Sequence, residues 1–189
     1  MPRPTVPNSL LQIAGVLDLP EAAMLCAAGV DWLGIPLRLP VHAEDVTDGE
    51  AAAIVAALPP NRAGILITYL DRAREIAALC RELGVTRVQL HGAIEQDELA
   101  LLRETAPELL VLKSLVVRQG NETQLARTVR ELAPWVDGFI TDTFDPTTGA
   151  EGATGMTHDW DISRRLVELS PLPVILAGGL TPDNVRAAI

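Results

Sequence analysis

The segment Gly138-Phe139-Ile140-Thr141-Asp142-Thr143 is an apolar, strand-like run that ends in a carboxylate. At the carboxyl end of such a strand partial desolvation can lift the pKa of Asp142 toward the range of a general acid, although an aspartate there can equally cap a loop or pair with an arginine. His91 closes a second run of this kind, Val88-Gln89-Leu90-His91-Gly92, and is a candidate for proton transfer or for satisfying backbone groups. Arg38 and His42 follow a third; Arg38 could grip a carboxylate through both guanidinium nitrogens or simply be solvated. Two glycine-rich stretches could hold an anion on backbone N–H groups beside a helix amino end: Thr148 to Gly155, which contains Thr154, and Gly178-Gly179 ahead of Thr181-Pro182-Asp183. Each could also be an ordinary turn with glycine supplying a positive φ. His158 reads as a surface residue before a helix, and Glu44, Asp45, Asp48 and Glu50 as the acidic amino end of another.

The elements that must position these residues alternate in type. Strands are expected at Leu10–Val16, Val30–Leu37, Ala63–Thr68, Thr86–His91, Leu109–Val117, Asp137–Thr143 and Pro173–Ala177. Helices are expected at Leu19–Ala28, Asp48–Leu58, 71–83, 95–105, 121–133, 159–169 and 181–189. The strands are continuous apolar runs, as in parallel sheets covered on both faces, and they recur about every 27 residues, the size of a βαβ unit. A (β/α)8 barrel or a doubly wound sheet fits that rhythm. The barrel is preferred because no Gly-x-Gly-x-x-Gly follows the first strand and because polar residues and glycines gather just after the strands, where barrel active sites form. The expectation is an α/β protein of the parallel (β/α)8 TIM-barrel class, one domain over residues 1–189. Its eighth βα unit is absent from these residues, and about 20 to 30 further residues are expected beyond them.

Composition narrows the chemistry. The formal net charge of −10 argues against nucleic acid or an anionic membrane as partner, so an anionic ligand must be held locally. No apolar stretch approaches the length of a membrane span, and a cytoplasmic location is expected. Lys113 is the single lysine and hence the one candidate for Schiff-base chemistry. Cys26 and Cys80 lack the spacing of metal or redox pairs and read as buried thiols, so no metal and no cofactor is expected. The expected partner is a phosphorylated small molecule, bound by a monomer or homodimer.

Together these segments resemble phosphoribosylanthranilate isomerase, the tryptophan-pathway barrel. Gln12-Ile13-Ala14-Gly15 stands where that family has Lys-Ile-Cys-Gly, and Val88-Gln89-Leu90-His91-Gly92 matches outright. Asp142-Thr143, Gly152-Ala153-Thr154-Gly155 and Asp159-Trp160 follow the family's Asp-Thr, Gly-Gly-Thr-Gly and Asp-Trp in order, and 176–185 is close to its Leu-Ala-Gly-Gly-Leu-x-Pro-x-Asn-Val. The resemblance implies an Amadori rearrangement in which an aspartate protonates the ribose ring oxygen and a cysteine thiolate removes the C2 proton. Asp142 matches the acid. Ala14 stands at the base's position, and a methyl group cannot accept a proton. Gln12 also departs from the family, and its Ser-Pro-Arg after the second strand has no counterpart, a pattern that points to natural divergence with His91 as a candidate replacement base. A barrel enzyme performing other chemistry on a phosphorylated molecule and a non-catalytic binding paralogue remain the alternatives.

Overall fold

The computed structural model describes residues 3–40, 43–152 and 154–188; His42 and Ala153, both singled out above, lie outside them. The chain forms two compact units, Met1–Val111 and Leu112–Ile189.

In the first unit the elements run β1 (Gln12–Ala14), α1 (Leu19–Ala27), β2 (Trp32–Leu37), α2 (Asp48–Ala56), β3 (Ala63–Thr68), α3 (Ala73–Leu83), β4 (Arg87–Leu90) and α4 (Gln96–Thr105). Strands β1 to β4 pair in order and in parallel, with Ala14 level with Gly34 and Gly34 with Ile65. The opening of β5 (Leu110–Val117) joins β4, as Leu110 N–H donates to the Thr86 carbonyl at 2.9 Å. Leu33, Ile35, Leu37, Ile65 and Leu66 are fully buried, as strands covered on both faces require. The acidic cluster does start a helix: Thr47 Oγ1 accepts from Glu50 N–H, and the Glu50 carboxylate accepts from Thr47 N–H, closing a capping box on α2.

In the second unit β5 is followed by α5 (Glu122–Leu132), β6 (Gly138–Thr143), α6 (Trp160–Leu169), β7 (Val174–Ile175) and α7 (Val185–Ala188). Again the pairing is parallel and sequential, Val116 level with Asp142 and Ile140 with Ile175. All seven expected βα units are therefore formed. The terminal strands are shorter than expected, three residues in β1 and two in β7, because each is hydrogen-bonded to a neighbour on one side, β2 and β6 respectively. The last helix shrinks to four residues because Thr181–Asn184 is spent on a turn in which Asn184 Oδ1 accepts from Thr181 N–H. Among the described residues no helix is long and apolar enough to cross a membrane.

Lys113 sits within β5, only 7% exposed, with Nζ donating to the Ser114 carbonyl at 3.0 Å. It is level with Phe139, whereas Asp142 is level with Val116, so alternation along the strands turns the two side chains to opposite faces. The single lysine therefore faces away from the candidate acid. Burial pulls its pKa from 10.5 down to about 8. Between those two values the unfolded chain holds the proton that the folded chain has released, so this residue makes stability rise with pH across the window. Burial pushes Cys80 the other way, to about 12, so the lysine's share must be read as a difference. Urea unfolding at pH 7.5 and pH 10 is expected to show the parent gaining about 2 kcal/mol relative to Lys113→Met between the two conditions. Equal pH dependence in both proteins rules out the buried cation as the cause.

Candidate active site

In the first unit the side chains of β1 and β4 meet although two strands lie between them. Gln12 Nε2 donates to Gln89 Oε1 at 2.9 Å, whereas in a flat sheet those strands would stand about 14 Å apart, three strand spacings. The sheet of this unit is thus strongly curled, with Gln12 and Gln89 on its concave face. Alternation puts Ala14 and His91, each two residues further along, on that same face. Ala14 is exposed and lies beside Gly34, where an added Cβ would come within 3.0 Å of the Ala14 Cα, so no side chain from β2 fills the space next to it. His91 is 6% exposed; its N–H donates to the Thr68 carbonyl, and its ring tilts against Tyr69 with centroids 4.8 Å apart. Ala14 and His91 thus share one surface of this unit.

Of the two readings open for Arg38, the grip on a carboxylate is the one formed, and the carboxylates are the chain's own. It adopts a positive φ of 61° just after β2, and its guanidinium binds Asp48 through two nitrogens at 2.9 and 2.6 Å and Glu44 at 3.2 Å. Those carboxylates raise its pKa further, the hydrogen bonds to Asp48 contributing most. Arg38 thereby ties the end of β2 to the amino end of α2.

In the second unit Asp142 ends β6 half-buried, its Oδ1 accepting from Thr143 N–H at 2.8 Å. The glycine-rich run that follows divides in two. Its first part is a tight turn, with Phe144 bridged antiparallel to Glu151 and Asp145 accepting from Thr147 N–H and the Thr148 hydroxyl. Arg118 pairs with Glu151 and lies over the Phe144 ring at 4.3 Å. Gly149 therefore belongs to a turn rather than to an anion cradle. The second part, Thr154 and Gly155, leads into Met156–Thr157, against which Gly179 packs so closely that a Cβ there would lie 2.5 Å from the Met156 carbonyl carbon. The two glycine loops do meet. Neither Gly155, Gly178 nor Gly179 donates its N–H to any described residue, and all three have positive φ. Unengaged amides on a turn of this kind are suited to an anion.

His158 is not the surface residue its place in the sequence suggests. It is half-buried, with Nδ1 3.0 Å from Thr143 Oγ1 and Nε2 2.6 Å from Ser163 Oγ, and burial lowers its pKa. No sequence signal joins these three residues, because the contacts depend on how the loop folds back onto β6. Among the described residues no group of three or more His, Cys, Asp or Glu is placed to hold a metal.

Seven sequential, parallel βα units with polar residues and glycine turns at the strand ends define the parallel (β/α)8-barrel class, seven of whose units lie in these residues. The family model described as N-(5'phosphoribosyl)anthranilate (PRA) isomerase matches residues 16–189, and the chain belongs to that family. The match includes Asp142 and both glycine loops and begins two residues after Ala14. The chain is 41% identical over 180 residues to N-(5'-phosphoribosyl)anthranilate isomerase of Haloferax volcanii, spanning 95% of this chain and 77% of the relative. It is 38% identical over 181 residues to N-(5'-phosphoribosyl)anthranilate isomerase 2 of Methanosarcina mazei, spanning 95% and 78%. Among solved structures it is similar to phosphoribosyl anthranilate isomerase from Thermotoga maritima, with a TM-score of 0.78 at 25% identity over 95% of this chain and 82% of that one.

Proposed function

We propose that this protein isomerises N-(5-phosphoribosyl)anthranilate to the corresponding aminoketose, a step of tryptophan biosynthesis, with Asp142 as general acid. The observation that carries the reading is that family membership coincides with an aspartate at the end of β6 and unengaged Gly178 and Gly179 amides in the turn after β7, within one unit. Asp142 protonates the ribofuranose ring oxygen, the C1–O bond breaks, and the anthranilate nitrogen supplies the electron pair that forms the C1 iminium. Loss of the C2 proton to a base gives the enolamine, which takes up a proton at C1 as the C2 hydroxyl becomes the ketone. The amides of Gly155, Gly178 and Gly179, with Thr154, hold the phosphate. The reaction needs no cofactor, and the protein works in the cytoplasm as a monomer or homodimer.

One observation favours a second reading, a barrel enzyme that holds a phosphorylated molecule for other chemistry. Where the resemblance expects lysine and cysteine, Gln12 is bonded to Gln89 and Ala14 presents a methyl group. A turnover assay of the full-length natural protein on N-(5-phosphoribosyl)anthranilate separates the two. The expected result is measurable isomerisation well below an ordinary turnover of about 10 s⁻¹. Turnover at that ordinary rate shows that another residue supplies the base, and His91→Ala then identifies or excludes the histidine.

A further inference from the structure

The turn after β7 has no freedom of position on its inner side. A Cβ on Gly178 would lie 2.2 Å from Thr143 Oγ1 and 3.4 Å from His158 Nδ1, and one on Gly179 would lie 2.6 Å from Thr157 N. The Gly178–Gly179 backbone therefore rests directly on the Thr143–His158 contact and on the two residues before His158. Its outer side is fixed separately, as Asn184 Nδ2 donates to the Gly179 carbonyl at 2.9 Å.

We propose that His158 is a positioning residue for the phosphate loop, bracing Thr143 at the end of β6 against Ser163 in the first turn of α6 so that the Gly178 and Gly179 amides are held at the spacing an anion requires. The proposal rests on the phosphate reading given above. A neutral imidazole has one donor and one acceptor nitrogen, and each hydroxyl can serve as either, so the chain Thr143–His158–Ser163 is complete in either tautomer. Thr143 and Ser163 are 3% and 6% exposed, so water does not substitute readily for a lost member. Burial, only partly opposed by the Asp159 carboxylate, lowers the pKa of the ring and so favours its neutral form. The bond from Thr143 N–H to Asp142 is made by the backbone and does not depend on the hydroxyl that the brace uses. A misplacement of the amides by a few tenths of an ångström weakens phosphate binding in the ground state and the transition state alike, so KM is the affected constant.

The test compares the full-length parent with His158→Ala, Thr143→Val, Thr143→Ser and Ser163→Ala. Three properties are measured: calorimetric affinity for inorganic phosphate, kcat and KM on N-(5-phosphoribosyl)anthranilate, and the amide resonances of Gly178 and Gly179 in the absence of ligand. His158→Ala and Thr143→Val are expected to weaken phosphate binding and raise KM about tenfold, with kcat within about twofold, and to shift both glycine resonances. Thr143→Ser restores the parent values because the hydroxyl is what the imidazole needs. Parent-like phosphate affinity, KM and glycine resonances in folded His158→Ala and Thr143→Val overturn the proposal. If His158→Ala does not fold, Ser163→Ala, which removes a single hydroxyl, takes its place, and parent-like values there overturn the proposal in the same way. A parent that ignores inorganic phosphate and does not turn over defeats the phosphate reading itself, and the glycine resonances then decide alone whether the brace exists.

Discussion

Asp142→Asn is expected to lower kcat by about 10²- to 10⁴-fold, the range a positioned acid supplies, while phosphate affinity and melting temperature stay close to those of the parent. The separation of effects follows from the geometry. Asp142 Oδ1 accepts from Thr143 N–H at 2.8 Å, and the asparagine amide oxygen can keep that bond, so the end of β6 retains its shape. What asparagine lacks is an acidic proton for the ring oxygen of the sugar. The measurement is best made in the parent and again in any variant with raised activity, because a low starting rate compresses the visible loss. Undiminished turnover in Asp142→Asn removes Asp142 from the role of acid. A fall in melting temperature and phosphate affinity together with kcat assigns it instead to holding the loop.

The fold is largely legible in the sequence because its dominant signal is local. Ala63–Thr68 is readable to the residue, and β2, β4, β5 and β6 to within two residues at each end, since an unbroken apolar run needs only its own composition to mark it as a covered parallel strand. The outer strands are shorter than their apolar runs suggest because strand length also depends on a neighbour's hydrogen bonds, which composition does not report. The site divides along the same line. Asp142, His91 and the glycine pair announce themselves by type and by position after a strand. The Gln12–Gln89 bond spans 77 residues and the Thr143–His158 bond 15, and both arise from curvature and loop packing that no short-range pattern encodes. Arg38 illustrates a third case, in which a residue and its partners are all visible in the sequence but their pairing is not. Glu44 and Asp48 read as a helix amino end, and the positive φ that swings Arg38 back toward them is uncommon for a residue other than glycine.

Ala14→Cys is expected to raise isomerase turnover, and Gln12→Lys together with Ala14→Cys to raise it further, to a total of about 10²- to 10⁴-fold over the parent. Space is not the obstacle: Ala14 is exposed on the concave face of its unit, and Gly34 leaves the neighbouring position on β2 without a side chain. The obstacle is charge, because a thiol acts as base only as its thiolate and near neutral pH an isolated cysteine is mostly protonated. Gln12, two residues earlier on the same face, offers a neutral amide where an ammonium would favour the thiolate. Replacing it disturbs little. Gln12 Oε1 is buried without a hydrogen-bond partner among the described residues, and Gln89 Oε1, which now accepts from the Gln12 amide, can accept from a lysine instead. The pH profile of the double variant is therefore expected to show its rising limb at lower pH than that of Ala14→Cys alone. If both variants fold and bind inorganic phosphate yet turn over no faster than an inert parent, a restored base has nothing to act on. The barrel then serves a different reaction on a phosphorylated molecule.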